Sequence, residues 1–125
     1  MALNPDLARR SICDIETIGR VSGHPRRIEI WFAADPLRDR IYMLSGGRDR
    51  AHWVRNLRKD PAVRVRIAGR WFIGTATEIE GGPDDGLARR LLAAKYQGSS
   101  GDDDLSSWAR SSLPVAIDLR SAPAD

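Results

Sequence analysis

A single cysteine, Cys13, and two histidines, His24 and His52, stand in a chain of 125 residues. One thiol excludes an internal disulfide framework, and no Cys/His spacing resembles a zinc site, so no metal is expected. No apolar run approaches the ~18 residues that span a bilayer. The amino-terminal stretch "MALNPDLARR" lacks a signal-peptide core. The expected setting is therefore cytoplasmic, with no membrane span. Neither histidine belongs to a recognisable Ser/His/Asp or metal arrangement, and Cys13 has no activating neighbour in sequence. No catalytic residue is nominated on these grounds. If the protein is an enzyme, the difficult chemistry falls to a bound cofactor.

Lysine is scarce too, since Lys59 and Lys95 are the only two among 20 basic residues. The charge that is present is unevenly spread. Residues 1–70 carry 15 basic against 8 acidic side chains, and residues 71–125 carry 5 against 9. Such asymmetry suggests an anionic partner for the first half, although arginine-rich codon usage would also raise the total. Nucleic acid is not the expected partner. The arginines fall in turns and on alternate strand positions without interleaved exposed aromatics.

The pattern along the chain predicts one domain over 1–125, with loose ends at 1–10 and 120–125. Pro5 to Arg10 reads as one or two helical turns capped by Asn4. Strands are expected at 11–18, through "RRIEIWFAAD", at "RIYMLS", at the hairpin "AVRVRIAGRWFIGTATEIE", and at "LPVAIDL". In the second strand Ile28, Ile30 and Phe32 share one face and Trp31 takes the other. Asp49 is the expected cap of a helix carrying Trp53, Val54 and Leu57, stopped at Asp60-Pro61. A second helix runs from near Pro83 to Gly98, and one further turn lies around Leu105 to Arg110. About six strands with a few short helices favour a mainly β fold, a closed or split antiparallel barrel.

Two glycine-bearing bends carry the functional signal. In "GRVSGHPRR" (19–27), Gly19 and Gly23 permit backbone conformations that could turn amides toward an anion. Arg20 and Arg26 flank them, and Ser22 adds a hydroxyl; a guanidinium grips phosphate with two parallel hydrogen bonds. A plain solvated hairpin turn is the competing reading. "SGGRDRAHW" (45–53) leads into a helix whose positive end favours negative charge, with Arg48 and Arg50 nearby. The two bends reinforce each other if the fold brings them together. Trp31 and Trp108 are candidates for a pocket wall, and the exposed side of the hairpin 62–79 is a candidate face for pairing two subunits.

In order, "TIGRVSGHPRRIEIWF", "YMLSGG" and "HWVRNLRKDPAVRVRI" resemble the deazaflavin-dependent nitroreductase family, whose pattern runs "TxGRKSGxPR", an apolar strand, "SxGG" and "WYxNLxANPxVxV". The family's fold is related to the split barrel of the FMN-binding oxidases. The resemblance covers roughly residues 16–67, and "SSWARSSLPVAIDL" (106–119) is similar to the family's ending. It implies coenzyme F420, a deazaflavin with a phosphate and a polyglutamate tail, as cofactor, and hydride transfer to a small conjugated acceptor such as a quinone, enone or nitro compound. By position Arg20, Ser22 and Arg26 would hold the phosphate and tail. Ile28, Glu29 and Ile30 would offer backbone groups to the ring edge, with Ser45, Gly46, Gly47, His52, Trp53 and Asn56 closing the other side. Trp31 and Trp108 would border the substrate. The chain departs from the pattern at Val21, where the family has lysine, and at Glu29, where it has proline. FMN on the same barrel, or ligand carriage without turnover, are the alternatives.

Overall fold

The computed structural model describes residues 2–121. Its helices are α1 (Pro5–Ala8), α2 (His52–Lys59), α3 (Asp85–Gln97) and α4 (Ser107–Ser111). Its strands are β1 (Cys13–Ile18), β2 (Pro25–Ile30), β3 (Ala33–Ala34), β4 (Arg40–Ser45), β5 (Ala62–Ile67), β6 (Arg70–Glu78) and β7 (Leu113–Ser121). The strands form one antiparallel sheet in the order β2-β1-β5-β6-β7-β4-β3. Its two edges, β2 and β3, are consecutive in the chain, so the sheet curls until they nearly meet at Trp31 and Phe32. This is a split barrel.

The sequence period explains which faces are buried. On β5, Val63, Val65 and Ile67 point inward while Arg64 faces solvent and Arg66 is half-buried. The inward set packs with Ile15, Phe32, Ile41, Met43, Phe72, Val115 and Ile117, and with Trp53, Val54 and Leu57 of α2. β4 and β7 are buried on both faces. α3 lays Ala88 and Leu92 over Tyr42, Leu44 and Ala116, forming a second core outside the barrel. Chains covered on both sides read as near-continuous apolar runs, as "IYML" and "LPVAI" do.

Local chemistry sets the boundaries. Asn4 Oδ1 accepts from the Asp6 amide at 2.8 Å, with Pro5 at the first helical position. Ala68 and Gly69, at φ 52° and 81°, make the tight β5–β6 turn, whose left-handed residues match the twist of the strands. Gly98 ends α3 at φ 64°. Leu3 is buried in the main core, and Lys95 Nζ donates to the Ala8 carbonyl at 3.1 Å; the amino-terminal residues are tied to the barrel. Residues 122–125 of the expected loose carboxyl end lie outside the described residues.

Three expectations are corrected. Among the described residues there are seven strands rather than about six, because the run after Arg26 breaks at Trp31 and resumes as β3. That break rotates the residues: only Phe32 enters the core, Ile30 is half-buried and Ile28 is exposed. Asp49 caps nothing. It lies in a 3-10 turn (Arg48–Arg50), and Ala51 is the N-cap of α2 without a side-chain hydrogen bond. Among the described residues, no helix is long and apolar enough to cross a membrane.

Candidate functional site

A cavity of about 650 Å³ opens between the 19–27 bend and the first turns of α2. Arg20, Ser22, Arg26, Ile28, His52, Trp53 and Asn56 all line it, together with Thr17, Gly19, Val21, Pro25 and Arg27. Seven of the twelve residues expected at the cofactor are thereby brought together from two distant parts of the chain. The other five are not in the lining. Ser45 is buried, with Oγ donating to the Arg48 carbonyl at 3.0 Å. Gly46 faces Trp108, whose Cδ1 would lie 3.5 Å from a Cβ at that position. Gly47 caps the 3-10 turn. Glu29 and Ile30 sit further along β2, opposite Asp14 and Cys13. The second bend thus contributes the helix it leads to, not its own glycines.

The first bend is built tightly. Gly19 N–H donates to the His24 carbonyl and Gly23 N–H to the Gly19 carbonyl, both at 2.8 Å. His24 N–H donates to Ser22 Oγ at 3.1 Å, and Arg26 Nη2 reaches the same oxygen at 3.4 Å. These three amides are spent within the bend and do not converge on an anion. A Cβ on Gly19 would stand 2.9 Å from Ser22 Oγ and 3.0 Å from the His24 carbonyl oxygen. Glycine is required there for close approach.

Arg20 is anchored to α2. Its backbone N–H and Nη1 both donate to Asn56 Oδ1, at 3.2 and 2.9 Å, and Nη2 meets His52 Nδ1 at 3.1 Å. Asn56, only 3% exposed, passes the chain of bonds to Thr17 Oγ1 at 3.1 Å. Lys59 Nζ donates to the Arg20 carbonyl at 2.7 Å. Three guanidinium groups and no carboxylate line the cavity. Glu16 pairs with Arg27 at 3.8 Å and with Arg64 at 3.4 Å, and it is absent from the lining. Where the family pattern has lysine, Val21 is 94% exposed and apolar, and Arg27 adds a cation from the strand side. Arg48 cannot substitute, because Glu80 and the Ser111 carbonyl hold its guanidinium at 2.5–2.7 Å.

Trp31 and Trp108 meet at a second place. Trp31 stacks on Tyr96 with centroids 4.4 Å apart and 2° between planes, and it meets Trp108 edge-on at 5.5 Å. Trp31 remains 43% exposed. The place of Tyr96 beside Trp31 was not legible in the sequence. Tyr96 sits near the end of an α3 stripe that reads as ordinary helix packing; its hydroxyl oxygen lies 2.9 and 2.8 Å from the Phe32 and Ser11 carbonyl oxygens, to one of which it donates, and it accepts from the Phe32 N–H at 3.0 Å. Lys95 beside it donates to the Phe32 carbonyl at 2.8 Å. Burial lowers its pKa to about 8. Cys13 is inert as a nucleophile, since burial and Asp14 push its thiol up to about 12.

The sequence model of the F420H(2)-dependent quinone reductase family matches residues 6–120. The chain belongs to this family. It is an oxidoreductase that uses coenzyme F420. Among solved structures, an F420 reductase is similar at 18% identity and TM-score 0.66, covering 93% of this chain and 92% of that one. The conserved hypothetical protein Rv2991 of Mycobacterium tuberculosis is 18% identical, TM-score 0.69, covering 94% and 78%. An FAD-binding protein of Mesorhizobium loti is 14% identical, TM-score 0.63, covering 97% and 93%. At these identities the likeness shows the shared split-barrel fold. No curated protein matches the chain.

The cavity suits the anionic part of this cofactor on its own terms. Its charged lining is entirely cationic, and it is bordered by a bend so close-packed that a Cβ at Gly19 would crowd Ser22 and the His24 carbonyl.

Proposed function

We propose that the protein transfers hydride from reduced F420 to a small conjugated acceptor of the quinone, enone or nitro class. When bound, the reduced deazaflavin supplies the hydride at its C5 carbon. Arg20 and Arg26 hold the phosphate and acidic tail, with Ser22 and Arg27 beside them, as charge-assisted donors. β2 is a sheet edge, so its outward N–H and C=O groups from Ile28 to Ile30 have no strand partner and can orient a planar heterocycle by its polar edge. Trp31 lies three residues beyond Ile28, about 10 Å along an extended chain. There it forms with Tyr96 and Trp108 an apolar wall that would seat a flat acceptor and exclude water. The protein's contribution is position: holding donor and acceptor carbons ~3–3.5 Å apart.

The observation that carries this reading is the carboxylate-free cavity in which three arginines converge beside the start of α2. Titration with F420, read by quenching of its fluorescence, tests it. Saturable binding, weakened in Arg26→Ala and by added salt, is expected. No change at tens of micromolar cofactor, or equal binding by Arg26→Ala, would move the anion site elsewhere.

A further inference from the structure

A guanidinium has hydrogens to give and no lone pair to receive. The 3.1 Å contact between Arg20 Nη2 and His52 Nδ1 therefore fixes the tautomer of His52: Nδ1 is the acceptor and Nε2 carries the proton. Together with Asn56 Oδ1 on the other arm, His52 braces the guanidinium from one side and leaves its remaining N–H groups for the cavity. We propose that His52 is a positioning residue whose Nδ1 holds the Arg20 guanidinium ready for an anionic ligand. This rests on the reading of the cavity given above.

The charged side chains around this His52 contact are mostly cationic. Arg20 approaches from the bend, and Arg26 and Arg27 line the same cavity from β2. On its own helix Arg55 turns to the Asp49 carbonyl at 3.0 Å, and Lys59 to the Arg20 carbonyl. In the preceding 3-10 turn, Arg48 is held by Glu80, and the Asp49 carboxylate pairs with Arg58 at 3.7 Å; Arg50 is exposed. No carboxylate lines the cavity beside the imidazole. Arg20 Nη2 is therefore the partner that Nδ1 serves.

Two measurements test the proposal. In the protein without ligand, nitrogen NMR of the His52 ring above pH 7 should show a bare Nδ1 and a protonated Nε2; the opposite tautomer overturns it. F420 titrations should show about tenfold weaker binding by His52→Ala, the scale of one charge-assisted hydrogen bond. His52→Asn places Oδ1 where Nδ1 stands, so it should recover most of that loss. An Asn variant as weak as Ala, or an Ala variant that binds as wild type, overturns the proposal. If F420 fails to bind the wild-type protein, the functional reading falls. Sulfate then replaces it as probe, and the same ordering of variants decides the role of His52.

Discussion

Asn56→Asp separates the fold from the function of the cavity. In the native protein Asn56 Oδ1 accepts two hydrogen bonds from Arg20, and Nδ2 donates to Thr17 Oγ1. An aspartate keeps both acceptor positions and makes them charge-assisted. The Thr17 hydroxyl can rotate to donate in place of accepting. Folded stability should therefore stay within ~1 kcal/mol of wild type. Ligand binding should not. The substitution puts a carboxylate into a cavity that has none, and like charges several ångströms apart at an effective dielectric of ~20 repel by about 2 kcal/mol. That is ~30-fold in Kd. Asn56→Ala gives the contrasting pattern: it strands the Arg20 amide and the buried Thr17 hydroxyl, at a cost of ~2–4 kcal/mol in stability. Chemical denaturation and F420 titration on the same three proteins supply both numbers. A folded Asn56→Asp variant that binds F420 as tightly as wild type would refute the assignment of this cavity to an anion.

Gly19→Ala should destabilise by ~1–3 kcal/mol, read from a denaturation midpoint, because its methyl would press on the Ser22 hydroxyl and the His24 carbonyl; F420 affinity should fall with it. Trp31→Ala should raise the acceptor KM severalfold while F420 affinity holds, because Trp31 lies outside the arginine-lined cavity; an equal loss of both would place Trp31 at the cofactor instead. Asp35, 2% exposed, supports a pH prediction. Burial would raise its pKa, but donors from Tyr42, Leu37 and Arg38 outweigh that and hold it at about 2. A depressed carboxylate stabilises the fold above its unfolded value of ~3.9 and loses that contribution as pH falls toward 2. Wild type should lose stability through this window more steeply than Asp35→Asn, and parallel curves would remove Asp35 as the cause.

Strand period and turn chemistry made most of the barrel legible. Alternation in "AVRVRI" fixed the inward face of β5, and the Ala68-Gly69 turn was marked by its glycine. The break at Trp31 was not legible, because "IWFAA" (30–34) is apolar throughout and gives no local reason to stop. Its cause is tertiary: Tyr96 and Lys95, more than sixty residues away, bond the Phe32 amide and carbonyl that a strand partner would have taken. The site shows the same division. Arg20, Ser22 and Arg26 could be named from the bend because charge and glycine mark it. The brace from His52 and Asn56 depends on how α2 docks, and helical spacing shows only that both lie on its surface or its core side. The glycines at 46 and 47 lie outside the arginine-lined cavity, because a 3-10 turn intervenes before α2 and Gly46 packs against Trp108.

The most direct measurement is a structure of the protein with F420 bound. The account predicts the cofactor's phosphate within hydrogen-bonding reach of Arg20 and Arg26, and the deazaflavin along the β2 edge toward Trp31. A phosphate found instead against Gly46, Gly47 and Arg48, with the arginine-lined cavity left to solvent, would contradict it.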